Sequence, residues 1–262
     1  MSDLTLNVAR YIAVAAGSPP LRAKARLYLA ALITEGDLLG SLGDRTQAVF
    51  SSDFGSCALA LWAQKRGLED IARDPIDDRL TRLDVGSMVG AWEACLFKAA
   101  AEADDSDDER WSVMLEYVPT GGGHIDALAR RFAVVQDGER TRMLHPVEFK
   151  SSWDNSAIKN PEKENFAHLL QAADYALRIG APRFTLVYIK PAAPKGGRLK
   201  QFPFEAEPYR GLVAEERRRL ERALADEAPL ADPPQKFNCF TCRYSACPRN
   251  KSKRLDELFE VA

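Results

Sequence analysis

No stretch of this 262-residue chain reaches the about 18 consecutive apolar residues that a membrane-spanning helix requires, so no contact with the membrane is expected. Met1-Ser2-Asp3 does not open a basic region followed by an apolar core, so no export signal is read and the expected location is the cytoplasm. Neither sign of charge dominates: 36 Lys and Arg stand against 38 Asp and Glu, and a net charge of -2 gives no global argument for a polyanionic partner. Histidine is scarce, with His124, His145 and His168 the full set, and cysteine numbers five. Disulfides explain those thiols poorly in a cytoplasmic protein. No internal repeat is found.

What is present is enough for a substantial core. With 46% hydrophobic residues the chain can form one large domain or two small ones. The charge is unevenly placed. Acid is concentrated in residues 102–109, which read as a solvated loop, while Lys236, Arg243, Arg249, Lys251, Lys253 and Arg254 surround three cysteines without an intervening acid. That basic run is a candidate phosphate-facing patch, or else an ordinary solvated face.

Residues 1–48 have helical spacing, notably over 21–38, broken by Gly36, Gly40 and Gly43. Further helices are expected over 57–71, behind a possible cap in Ser51-Ser52-Asp53, and over 87–103. The period then changes to alternation, and 111–117, 125–136 and 143–150 read as strands. Residues 165–179 return to helix, with Gly180 as its C-cap and Pro182 beyond. Residues 183–190 form another strand, 191–197 a Pro- and Gly-marked loop, and 212–225 a charged helix. This order predicts an α/β fold with a central mixed β-sheet flanked by helices.

Glu148-Phe149-Lys150 ends one of those strands. Residues two apart share a strand face, so Glu148 and Lys150 point one way while Val147 and Phe149 point to the core. Asp126 lies on the preceding strand, and Asp137-Gly138 between them is a short hairpin signal. A two-residue turn pairing Gln136 with Glu139 would set Asp126 opposite Phe149, one step off. A bulge or a three-residue loop would bring it beside Glu148, with alpha carbons roughly 4.5 to 5.5 Å apart. Glu-x-Lys alone is a common surface charge pair; with a second carboxylate beside it, it becomes a candidate metal site.

Cys239-Phe240-Thr241-Cys242 and Cys247 place three thiols within nine residues, one ligand short of the usual four. Cys57 and Cys95 are the available fourth ligands. Cys57 is expected at a helix start, which suits an anionic ligand, whereas Cys95 sits among Ala94, Leu96 and Phe97 and reads as a buried small apolar residue. Spacing alone leaves zinc and an iron-sulfur cluster open. Either would tie the N-terminal part of the chain to its C-terminal loop.

Taken together, Cys57, Asp126, Glu148-Phe149-Lys150, the Gln171-Ala172-Ala173-Asp174-Tyr175 segment and the terminal cysteines resemble the PD-(D/E)xK nucleases. The resemblance is to the RecB-like branch with an iron-sulfur cluster, including the CRISPR-associated exonucleases of the fourth Cas family and their phage relatives, and covers roughly residues 50–250. It implies a restriction-endonuclease-like core in a single nuclease domain over 1–262: a helical opening (1–50), a helical region with Cys57 (51–103), the catalytic sheet (104–200) and a C-terminal helix with the cysteines (201–262). It implies a [4Fe-4S] cluster on Cys57, Cys239, Cys242 and Cys247. Mg²⁺ or Mn²⁺ would be held by Asp126, Glu148 and the Phe149 carbonyl, with Lys150, Gln171 and Tyr175 completing the catalytic set.

The implied activity is exonucleolytic hydrolysis of single-stranded DNA ends, in CRISPR adaptation or in phage or bacterial recombination and repair, with an integrase or recombination protein as possible partner and an oligomer allowed. Two departures stand out. The family's helix-borne histidine ligand has no counterpart before the sheet, and Glu93 is the best substitute. Four residues separate Cys242 from Cys247 where five or more are common. The alternatives are a nuclease fold that only binds DNA or a partner, and a zinc-stapled structural protein.

Overall fold

The alternating stretches between residues 110 and 151 fold as three antiparallel strands, β1 (Arg110–Tyr117), β2 (Ile125–Val134) and β3 (Arg140–Ser151). The structure is a computed structural model that describes residues 6–35, 49, 53–68, 78–104, 110–120, 123–134, 140–151, 160–190, 199–225 and 246–247. β4 (Arg183–Ile189) joins β3 in parallel and β5 (Leu199–Glu205) closes the other edge antiparallel, giving a five-stranded mixed sheet in the order β1-β2-β3-β4-β5. The fold is the expected α/β architecture, with helices on both faces of the sheet.

Strand alternation sorts the side chains into two cores. Val113, Ala127, Ala129, Val147, Phe149, Val187 and Ile189 pack on one face against α1 (Val8–Gly17), α2 (Pro19–Glu35) and α4 (Asp78–Ala101). Phe184, Leu186 and Tyr188 face the opposite way, onto α6 (Phe166–Arg178) and α7 (Arg210–Ala225). The short α3 (Ala58–Lys65) contacts α7, and α5 (Pro161–Glu164) leads into α6.

The hairpin register matters most for the site. Ala127 pairs with Val147 and Val134 with Arg140, so the next position sets Asp126 opposite Glu148 rather than Phe149. The register is therefore the one that an odd-numbered connection gives, not the Gln136–Glu139 pairing of a two-residue turn. The Asp137-Gly138 turn lies outside the described residues.

Several element boundaries differ from the sequence reading for identifiable reasons. The opening segment is two helices, because Pro19 and Pro20 suit only a first helical turn and the Ser18 N–H turns back to the Ala15 carbonyl. Cys57 is the N-cap of α3 rather than a residue inside it, and the helix stops at Lys65. α4 begins at Asp78, before the expected start. β5 was not anticipated: Leu199–Glu205 mixes charge with Pro203 and falls in no element of the sequence reading, but an edge strand tolerates a proline where a central one does not. The end of α6 is as expected. Gly180 adopts φ 69°, its N–H bonds Leu177 O and the Ala181 N–H bonds Ala176 O, a Schellman closure that starts the turn into β4.

Candidate active site

β2, β3 and α6 bring five of the expected residues together. The Asp126 Oδ2 accepts the Phe149 backbone N–H at 2.6 Å, which ties the start of β2 to the Glu-x-Lys strand. On β3, the Lys150 ammonium donates to Glu148 Oε1 at 2.7 Å and to Gln171 Oε1 at 3.1 Å. Gln171 Nε2 returns a bond to the same Glu148 oxygen at 3.1 Å and reaches the Tyr175 hydroxyl at 3.4 Å. Four-residue spacing on a helix puts Gln171 and Tyr175 on one face, here the face turned to the sheet.

The two Glu148 oxygens are unequal. Oε1 accepts from Lys150 and Gln171, while Oε2 is buried and makes no hydrogen bond with the described residues. Burial, then the neighbouring Asp126 carboxylate, pushes Glu148 up to about 7 against the pull of Lys150. Asp126 is likewise raised to about 7, by burial first, with Lys150 opposing and Glu116 adding to the shift. Burial disfavours the charge on Lys150, but Glu148 and Asp126 outweigh it and hold the ammonium above its ordinary range. Tyr175 is pushed up to about 12, by burial and then by Glu148, and so keeps its proton.

The loop into β2 is fitted onto this helix. Gly123, at φ 85°, approaches Tyr175 so closely that a Cβ there would stand 2.8 Å from the ring. Arg178, one turn on, donates to Thr120 O at 3.1 Å. Each contact fixes the chain shortly before Asp126.

Two further residues were not found by sequence reasoning. Glu116 stands opposite Asp126, because Leu115 pairs with Ala127 and Tyr117 with Ile125. Glu116, Asp126 and Glu148 thus form a row across three strands, which the register reveals and no local spacing does. Glu116 has φ 46°, a left-handed conformation that side chains other than glycine rarely adopt, and lies 3.4 Å from His124 Nδ1. His168 lies on α6 with its Nδ1 3.2 Å from the Tyr188 hydroxyl; its signal was the three-residue spacing to Gln171.

Glu93 is 2% exposed, not solvated as a lone helical glutamate usually is. It lies on α4, in the layer across the sheet from α6, where a Cβ built on Gly90 would meet that of Phe149 at 3.6 Å. Among the described residues, no group of three or more His, Cys, Asp or Glu side chains is gathered to hold a metal ion.

Of the expected thiol ligands, Cys57 and Cys247 are both buried and share a small apolar cluster with Leu59, Trp62 and Ala63. Cys239 and Cys242 lie outside the described residues. α7 holds the segment before Cys57: Arg217 donates to Val49 O at 3.1 Å, Arg219 to Ser56 O at 2.7 Å, and Glu216 accepts from Gly55 N at 2.9 Å. Cys95 is fully buried in the other core, and burial pushes its thiol up to about 12, in keeping with a packing role.

By sequence, the chain matches no protein-family model and no curated protein. In structure it is similar to a solved chain titled "Crystal structure of SSO0001", with a TM-score of 0.42 and 14% identity over 86% of this chain and 96% of that one. Among the described residues, no helix is long and apolar enough to cross a membrane.

Proposed function

We propose that this chain is a metal-dependent DNA nuclease of the PD-(D/E)xK type, hydrolysing phosphodiester bonds at single-stranded ends. One observation carries the reading: Glu148, Lys150, Gln171 and Tyr175 form one hydrogen-bonded network, and Asp126 is fastened to the peptide between Glu148 and Lys150. The donor set fits a hard cation. A buried carboxylate oxygen without a hydrogen bond, as at Glu148 Oε2, is costly unless a cation shares it, and paired carboxylates suit Mg²⁺ or Mn²⁺.

Asp126, Glu148 and the Phe149 carbonyl would hold the ion; Glu93, the additional ligand suggested by the resemblance, is not gathered with them. Such an ion, when bound, activates a water molecule and offsets negative charge on the phosphate. Lys150 keeps its proton and is aimed by Glu148 and Gln171, so it stabilises charge developing on the phosphate oxygens. Gln171 fixes the Lys150 ammonium, and Tyr175 braces Gln171 and the loop leading to Asp126.

Asp126→Ala or Lys150→Ala will abolish Mn²⁺-dependent digestion of end-labelled single-stranded DNA while circular dichroism stays native. Equal activity in variant and wild type would overturn the assignment. A nuclease fold that binds DNA without cutting it is the second reading, motivated by the finding that no three His, Cys, Asp or Glu side chains among the described residues are gathered so as to hold a metal ion. It predicts binding and no digestion by the wild type.

A [4Fe-4S] cluster on Cys57, Cys239, Cys242 and Cys247 belongs to the proposal, supported by the shared burial of Cys57 and Cys247. An iron assay and a visible spectrum of anaerobically purified protein test it, and a colourless protein carrying zinc would overturn it. The resemblance places the proposed activity in the cytoplasm, in CRISPR adaptation or in recombination and repair, beside an integrase or recombination partner.

A further inference from the structure

α6 carries more of the site than Gln171 and Tyr175. His168 precedes Gln171 by three residues and therefore shares its stripe on the helix. Its Nδ1 lies 3.2 Å from the hydroxyl of Tyr188, a residue 3% exposed. Tyr188 is the ladder partner of Lys150 across the parallel β3–β4 pair, so the two side chains stand next to each other on the α6 face. The His168 ring is thus held beside the Lys150 end of the network.

The sense of the hydrogen bond between the pair sets which ring nitrogen carries the proton. Burial, and then the charge of Lys150, hold His168 down at about 3, so the imidazole is neutral at working pH. Burial pushes the Tyr188 phenol up, so its O–H is retained and available to donate. A neutral imidazole has one donor and one acceptor; when Nδ1 accepts from Tyr188, the proton sits on Nε2. Nε2 has no hydrogen-bond partner among the described residues, and the side chain is partly exposed.

We infer that His168 is a substrate-contacting residue whose Nε2–H donates to a non-bridging oxygen of the DNA phosphate next to the one under attack, with Tyr188 fixing the tautomer. The inference rests on the nuclease reading. A neutral donor suits this place, because it adds a phosphate contact without setting a second cation against Lys150.

The test measures binding of a fluorescent single-stranded oligonucleotide in Ca²⁺, together with kcat/KM for its digestion in Mn²⁺. His168→Leu, which fills the space but cannot donate, will weaken binding roughly tenfold or more, the worth of a hydrogen bond to a charged group. His168→Gln will recover most of that loss, since its amide N–H can donate. Tyr188→Phe will lose part of it by freeing the tautomer. With methylphosphonate linkages, whose remaining non-bridging oxygen is uncharged, the difference between wild type and His168→Leu will shrink.

The inference is overturned if His168→Leu binds within about twofold of wild type, or if His168→Gln is no better than His168→Leu at equal Tm. Should His168→Leu fail to fold, Tyr188→Phe decides, and unchanged affinity overturns the proposal. Wild-type protein that neither binds nor cuts DNA overturns the nuclease reading and this inference with it. Wild-type cleavage with unaltered variants removes only the role of His168.

Discussion

At the scale of single residues, Asp126 and Glu148 are in conflict: they share one buried face, burial raises the cost of ionising both, the Asp126 carboxylate adds to it at Glu148 as Glu116 does at Asp126, and Lys150 offsets only part of it. A site built for a cation carries that strain when the cation is absent. Asp126→Asn keeps an acceptor for the Phe149 N–H and removes one charge, so the metal-free variant should melt above wild type, by about 2–4 °C if the relief is ~1 kcal/mol. Mn²⁺ should raise the Tm of wild type and leave the variant unmoved. Differential scanning fluorimetry with and without Mn²⁺ checks both, and a variant that melts below wild type without metal would show that no such conflict exists. His145 makes a separate demand. Buried and bonded to Thr185 Oγ1 at 2.8 Å, its ring is held down at about 4 by burial and then by Arg183. Between that value and the ordinary range near 6.5 the unfolded chain binds a proton that the folded chain refuses, so stability is full above this window and falls as pH drops through it. His168, lowered to about 3, adds a loss of the same sign. Asp126 and Glu148, raised to about 7, contribute with the opposite sign, since the folded chain takes up their protons first, so the histidine effect is read as a difference: between pH 7 and pH 4 the Tm of His145→Gln should gain on that of wild type.

At the scale of elements, two glycines separate stability from function. Gly180 closes α6 at φ 69° with nothing within 4 Å of a built Cβ, so Gly180→Ala meets only backbone strain and should cost about 1–2 kcal/mol while sparing activity. Gly123 has both a left-handed backbone and the Tyr175 ring against it, so Gly123→Ala must move the loop before Asp126 and should lower activity by more than its loss of stability explains. Chemical denaturation paired with a single-stranded DNA digest distinguishes the two, and equal loss of activity would break the link between Gly123 and the site. The first of these glycines was readable in the sequence because helix closure is local; the second was not, because its constraint comes from a helix some fifty residues on. The same division runs through the site. Glu148 and Lys150 follow from the strand period, Gln171 and Tyr175 are singled out by the resemblance and set on one face by helix spacing, and Asp126 needed only the choice of register. Glu116 and His168 depend on which strands lie side by side. β5 escaped notice because a proline and two charges hide an edge strand, whose outer face need not be apolar.

At the scale of the whole molecule, the chain brings distant segments to one place. Cys57, near the start of the helical region, and Cys247, near the end of the chain, are buried in one cluster, and α7 grips Val49, Gly55 and Ser56 through Arg217, Glu216 and Arg219. Arg217 also bonds the buried Asp174 at 2.9 Å, so the helix bearing Gln171 and Tyr175 is tied to the approach to Cys57. If these thiols ligate a shared cluster, its loss must loosen the closure of the chain and not only a surface loop, because ligand binding to the folded state alone adds directly to stability. Cys57→Ser and Cys247→Ser should each lower both the iron content of anaerobically purified protein and its Tm. Cys95→Ala is the control, since that thiol is enclosed in the core between α4 and the sheet: it should cost packing and leave iron per chain unchanged. Iron that follows Cys95, or that is indifferent to Cys57 and Cys247, would mean that their shared burial is packing and that the chain is closed without a metal.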